Sequence, residues 1–226
     1  MIDKIKSRLD DYLEFDSNIL FQKDWCVRIF GGAIRDSIAD MEIHDVDILM
    51  GSKYFMHMKE LLEKFGYEYI EEINPKDWQS VYTDLGVISE PHTHMKNNKI
   101  IQLIRPTTKL TLNTRKQTKE DELIYKKNFH NLISSVDISC CGVSYDGVNL
   151  YENCKDAVLH CVHKKFKVNE FAPMCHEKRV HHRTGKLVVR GWNAIEIGNT
   201  SVENRDMKIE NYLNNQVPHI IYTKEY

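Results

Sequence analysis

The stretch Phe30-Gly31-Gly32-Ala33-Ile34-Arg35-Asp36, with His44-Asp45-Val46-Asp47-Ile48-Leu49-Met50 beginning eight residues later, decides the fold. Upstream, Cys26 to Phe30 is short and β-prone, and it ends at two glycines, beyond which Ala33 to Ala39 has helix composition. Strand, tight turn and short helix are therefore predicted. The second segment alternates polar and apolar residues before turning wholly apolar, the pattern of a strand with one functional face. Its period of two sends Asp45 and Asp47 out of one face while Val46 and Ile48 point to the core.

Working outward, Ile2, Ile5, Leu9, Leu13 and Phe15 recur at helical spacing and predict an amphipathic first helix. Residues 53–65 predict another, with Phe55, Met58, Leu61, Leu62 and Phe65 as its apolar stripe and Gly66 as its C′ residue. Strands are predicted at Tyr67 to Ile73, Leu85 to Ser89 and, after an Asn97-Asn98 turn, Lys99 to Arg105. Residues 107–130 read as a polar, basic loop leading into a helix at Glu120 to Phe129. A strand at Ser135 to Tyr145, an Asp146-Gly147 hairpin turn and a return strand at Val148 to Tyr151 complete a first domain over residues 1–153. In residues 154–226 the composition shifts. From His160 to Arg190 there are eight Lys or Arg, two Glu and five His, a basic patch of net charge about +6 on a small helical module.

The 226 residues are 42% hydrophobic, 10% aromatic and 28% charged, which excludes a disordered tail, a collagen-like fibre and a disulfide miniprotein. Six Cys, two of them adjacent at Cys140 and Cys141, lack the density of a disulfide framework, so reduced thiols are expected. No apolar run of about 18 residues occurs, and the opening residues carry acids where a secretory signal needs an apolar stretch. A cytoplasmic protein without membrane association is expected. The net charge of -2 excludes wrapping long nucleic acid by charge alone, so any polyanion contact is local.

Two carboxylates side by side repel unless a cation lies between them, and hard oxygen donors suit Mg²⁺ held together with substrate phosphates. Two glycines between strand and helix let backbone N–H groups approach a phosphate at the positive helix end. Taken singly, Gly31-Gly32 is a tight turn and Arg35-Asp36 a surface ion pair worth about 0 to 1 kcal/mol. Together they place a phosphate cradle beside a metal site. A second metal, about 3.5 to 4 Å from the first, needs a third acid, and Asp137 is the candidate, the lone charge at the head of an apolar strand. His160, Cys161, His163, Cys175, His176, His181 and His182 match no closed zinc pattern and read instead as part of a basic wall with Arg179, Arg183, Lys186 and Arg190. Trp192 reads as a core residue before a base-stacking one.

The two motifs, with Val136-Asp137-Ile138-Ser139 and Tyr145-Asp146-Gly147, resemble the signature of the DNA polymerase β-like nucleotidyltransferases, in particular bacterial-type tRNA CCA-adding enzymes and poly(A) polymerases. The resemblance covers about residues 25–155. It departs at Val136, where the family has Arg, and in the family's base-choosing Glu-Asp-x-x-Arg helix, for which Arg183 to Trp192 is the nearest stretch. About 90 residues follow Asp137, short of the family's long helical body and tail.

What the resemblance implies is an α/β (α+β) fold, a small mixed sheet backed by helices, and transfer of a nucleoside monophosphate from an NTP to a hydroxyl acceptor with release of pyrophosphate. Asp45, Asp47 and Asp137 are the expected metal-binding catalytic residues, for Mg²⁺ or Mn²⁺. Gly31 and Gly32 would cradle the β and γ phosphates, and Arg35 would either orient Asp36 or neutralise triphosphate. Arg105, Arg179, Arg183, Lys186 and Arg190 are further nucleotide-binding candidates. The acceptor is an RNA 3′ end or, alternatively, a protein or small-molecule hydroxyl; a catalytically idle nucleotide-binding module is the remaining reading.

Overall fold

The computed structural model describes residues 1–22, 27–51, 54–70, 91–105, 136–169, 172–195 and 219–223, with backbone alone for 172–179 and 219–223. Helix α1 (Ile2–Leu13) buries Ile2, Ile5, Leu9 and Leu13, the expected stripe, and stops where Glu14 turns left-handed at φ 61°. Strand β1 (Arg28–Phe30) runs through Gly31 into α2 (Gly32–Ala39), which leads to β2 (Asp45–Leu49). Helix α3 (Phe55–Lys64) buries Phe55, Met58 and Leu62, and Gly66, at φ 82°, ends it as expected. Then come β3 (Glu68–Ile70), β4 (His92–Lys96), β5 (Lys99–Ile104), β6 (Val143–Tyr145) and β7 (Asn149–Glu152). The chain continues through α4 (Ala157–Val162), β8 (Lys165–Phe166), α5 (Ala172–Val189), β9 (Asn193–Ala194) and β10 (His219–Thr223).

Among the described residues eight strands form one sheet in the order β10-β7-β6-β1-β2-β5-β4-β3, while β8 and β9 pair separately. Within the large sheet β2 and β5 are parallel and the other pairs antiparallel. This is the mixed, helix-backed α/β sheet expected. Val46, Ile48, Ile101 and Leu103 are fully buried on one face, each such side chain contributing about 2 kcal/mol. The opposite face carries the register row Ser144, Phe30, Asp47, Gln102 and Thr93. One core runs through both halves of the chain: Phe166, Leu187 and Trp192 belong to the same buried cluster as Ile34, Ile48 and Val143. Among the described residues no helix is long and apolar enough to cross a membrane.

Several expectations are corrected. The strand expected from Ser135 to Tyr145 is broken: Ile138 makes only an isolated bridge to Val168, Ser139–Cys141 is a 3-10 turn, and β6 begins at Val143. The cause is a partner distant in the chain. Ser139 Oγ accepts the Lys167 N–H at 2.9 Å, and the chain bends at Gly142, where a Cβ would stand 2.4 Å from Cys154 Sγ. Strand β4 was not expected, because the polar His92-Thr93-His94 hides its alternation, although His94 is fully buried. The C-terminal part is not purely helical, since it adds β8, β9 and, on the sheet edge beside β7, β10. Cys26, Leu85 to Ser89 and the loop and helix at 107–130 lie outside the described residues.

The β6–β7 hairpin turns at Gly147, with φ at 95°, and a Cβ there would stand 2.6 Å from Phe21 Cγ. Phe21 in turn packs edge-on against Tyr145, whose hydroxyl donates to the Gly147 carbonyl at 2.7 Å. Gly147→Ala therefore combines backbone strain with a displaced ring and is expected to cost about 2 to 3 kcal/mol. Urea unfolding measures this, and an unchanged midpoint refutes it.

Candidate active site

Two elements meet at the sheet face that carries Asp47. Gly31 adopts φ 70°, ψ -126°, a conformation that side chains rarely tolerate, and this turn swings the chain from β1 into α2. Its own N–H donates to the Val143 carbonyl at 3.0 Å, so the donors left for a ligand are those of the first turn of α2, beginning with Gly32. A Cβ on Gly31 would lie 3.9 Å from Asp47 Oδ2, and one on Gly32 3.5 Å from Asp45 Oδ1 and 3.7 Å from Arg35 Nη2. The positive end of α2 thus rests against both carboxylates across space that side chains would fill. Asp45 is exposed and Asp47 half-buried. Two hard oxygen donors on one face, beside a cradle free of side chains, fit a divalent cation such as Mg²⁺.

Asp137 is not part of that pair. It is buried, and its carboxylate accepts from Arg183 Nη1 on α5. Its carbonyl takes the Asn169 N–H at 2.9 Å, part of the isolated antiparallel bridge between Ile138 and Val168 that Asp137 directly precedes. Among the described residues no three His, Cys, Asp or Glu side chains are grouped as a metal cluster, which holds for the three aspartates and for the described members of the His and Cys set. His160 instead sits 2.8 Å from Ser139 Oγ through Nδ1.

The Arg35 side chain meets Asp36. Arg35 donates to that carboxylate through Nε at 2.7 Å and Nη2 at 2.8 Å, and both residues are buried, so this is no surface ion pair. Arg190, from the far end of α5, donates to the same carboxylate at 3.0 Å and to the Glu42 carbonyl at 2.9 Å. Two of the cations expected to meet phosphate are therefore engaged by aspartates, Arg183 by Asp137 and Arg190 by Asp36. Arg105 lies over the Phe55 ring at 4.3 Å, Lys186 is exposed, and the Arg179 side chain is outside the described residues. Trp192 is a core residue, with the Arg35 guanidinium 5.5 Å from its ring and Nε1 3.1 Å from the Met41 sulfur.

Behind this network, Cys141 Sγ lies 3.4 Å from Arg35 Nη1 and 3.7 Å from Arg183 Nη2. The Cys140 thiol hydrogen-bonded to it, and then the two guanidiniums, outweigh burial and lower its pKa from 9.0 to about 6. Burial and the same bond push Cys140 up, so it keeps its proton.

Sequence reasoning missed the Asp36 to Arg190 bond, which spans 154 residues and leaves no local signal. It also missed Gln102, which the register sets directly beside Asp47. A polar residue at the centre of the apolar run Ile100-Ile101-Gln102-Leu103-Ile104 is the signal that could have found it.

No protein-family model matches the sequence, and no curated protein matches it. Solved structures do. A CCA-adding enzyme in complex with CTP superposes on 93% of this chain and 44% of its own, with a TM-score of 0.53 at 10% identity. One in complex with ATP covers 91% and 40%, with a TM-score of 0.51 at 10% identity. The chain has a nucleotidyltransferase-like fold. It spans less than half the length of those enzymes.

Asp36→Asn takes the carboxylate away from the buried Arg35 guanidinium and from Arg190 and is expected to destabilise the protein by about 3 kcal/mol. Arg190→Ala, which removes a partly exposed partner, should cost about 1 kcal/mol. Chemical denaturation of the two variants tests the order. For Cys141 the folded pKa lies below the unfolded one, so its contribution is full above pH 9.0 and is lost as pH falls to about 6. Ultraviolet thiolate absorbance of the native protein should persist to about pH 6 and disappear in Cys141→Ser. A titration midpoint near the ordinary thiol value contradicts this.

Proposed function

We propose that this chain is a metal-dependent nucleotidyltransferase that moves a nucleoside monophosphate from an NTP to a hydroxyl, with an RNA 3′ end as acceptor. One observation carries the reading: the glycine turn at the start of α2 approaches within 3.9 Å and 3.5 Å of the Asp47 and Asp45 carboxylates, counted from the Cβ positions it leaves empty. A phosphate-binding helix end against a pair of metal-binding acids is the arrangement phosphoryl transfer requires. The fold shared with enzymes solved with CTP and with ATP supports an NTP as substrate.

In this mechanism Asp45 and Asp47 hold Mg²⁺, or Mn²⁺, which when bound neutralises phosphate charge and lowers the pKa of the attacking hydroxyl. The N–H groups at the start of α2 bind the β and γ phosphates and hold the triphosphate with its leaving end toward β1. The acceptor oxygen forms a bond to the α phosphorus as the bond to the bridging oxygen breaks, pyrophosphate departs, and the hydroxyl proton passes to solvent. Arg35 is a positioning residue: it shares the Asp36 carboxylate with Arg190, and that cluster ties α2, and hence the phosphate-binding turn, to α5. Asp137 belongs to the clamp on α5 in this scheme, and the carboxylate pair suffices for the cation.

One observation favours a second acceptor class, a protein or small-molecule hydroxyl. Arg183 and Arg190 are engaged by aspartates, which lessens the cationic surface available to an RNA strand. Incubation with Mg²⁺ and each α-labelled NTP, together with total RNA or total protein, separates the outcomes, since label moves to RNA, to protein or nowhere. The last result, an idle module, overturns the proposal. Asp47→Ala is expected to lower transfer at least 1,000-fold, as loss of a metal-binding acid, with an unchanged circular dichroism spectrum; full activity in that variant removes the metal mechanism.

A further inference from the structure

We infer that Gln102 positions the acceptor hydroxyl, an inference that rests on the nucleotidyl-transfer reading above. Gln102 lies on β5 directly beside Asp47 in parallel register, so the two side chains leave the same face. It is 7% exposed, and among the described residues no hydrogen bond engages its amide. Neither amide atom is shut away from solvent without a partner, so donor and acceptor are both open to a ligand on that face.

The ligand is specified by position and by chemistry. β1 and β5 flank β2 on opposite sides, and the glycine turn that would hold the triphosphate lies on the β1 side. In phosphoryl transfer the attacking and leaving oxygens stand roughly in line across phosphorus. With pyrophosphate leaving toward β1, the incoming oxygen approaches over β5, where Gln102 is. A carboxamide both donates and accepts, and a hydroxyl uses both capacities. A phosphate can only accept, so it would leave the amide oxygen unanswered beside the negative charge of Asp47. Gln102 is also neutral, so it can hold the hydroxyl without competing with Asp45 and Asp47 for the cation.

The probes are a short single-stranded RNA with a free 3′-hydroxyl, its 3′-deoxy counterpart, and ATP. Gln102→Leu, close in volume and without a lost partner, is expected to keep the thermal midpoint and the KM for ATP. It should raise the KM for the hydroxyl RNA about 3- to 10-fold, the loss of one neutral hydrogen bond. In binding experiments the wild type should prefer the hydroxyl RNA over the deoxy RNA by a similar factor, and the variant should bind both alike. Equal weakening toward ATP, or a preference for the hydroxyl end that survives in Gln102→Leu, overturns the inference. If the wild type labels no RNA, the proposed acceptor falls; the binding comparison then still decides Gln102, because absence of any hydroxyl preference in the wild type overturns this inference as well.

Discussion

A single buried carboxylate, that of Asp36, ties the candidate site together. Arg35 grips it from the next residue and Arg190 from 154 positions away, so one anion joins the start of the sheet to the long C-terminal helix. At 2% exposure Asp36 has little water to share its charge, and the guanidiniums on it are therefore held in place. Because Arg35 and Asp36 lie in α2, what fixes them also fixes the first turn of that helix and the glycine approach to Asp45 and Asp47. The distance between the glycine turn and the carboxylate pair is thus set by a network behind the site.

This division of labour separates residues by their environment. Arg183 and Arg190 look in sequence like cations for a polyanion, since they sit in the most basic stretch of the chain. In the fold each meets an aspartate. A guanidinium on a partly buried helix face finds the nearest carboxylate, and the pair reduces the charge that the composition alone would assign to the surface. Asp137 illustrates the same rule from the acid side. A lone acid in an apolar run must have a partner, but the partner can be a cation of the protein as readily as a metal, and composition does not distinguish them.

What was legible in sequence was local. The stripe of α1, the Gly31-Gly32 turn, the alternation of β2 and the Asn97-Asn98 turn each rest on rules that operate within a few residues. The two asparagines do adopt positive φ, 50° and 64°, as a tight hairpin demands. What escaped depends on contacts distant in the chain: Ser139 bonded to Lys167, β10 added beside β7, and Arg183 meeting Asp137 across 46 residues. Those partners leave no periodicity behind. β4 escaped for a different reason, because a fully buried His94 makes a polar letter stand for a core position.

The carboxylate pair and its neutral neighbour also make electrostatic sense as a set. Two aspartates on one face match the charge of a single divalent ion, and a third acid beside them would add repulsion that only a second resident ion offsets. With Gln102 in that flanking position the resting site avoids this load, while a nucleotide brings its own phosphate oxygens as further ligands. In the proposed mechanism a cation would therefore bind most firmly once the phosphate oxygens of a nucleotide complete its ligands.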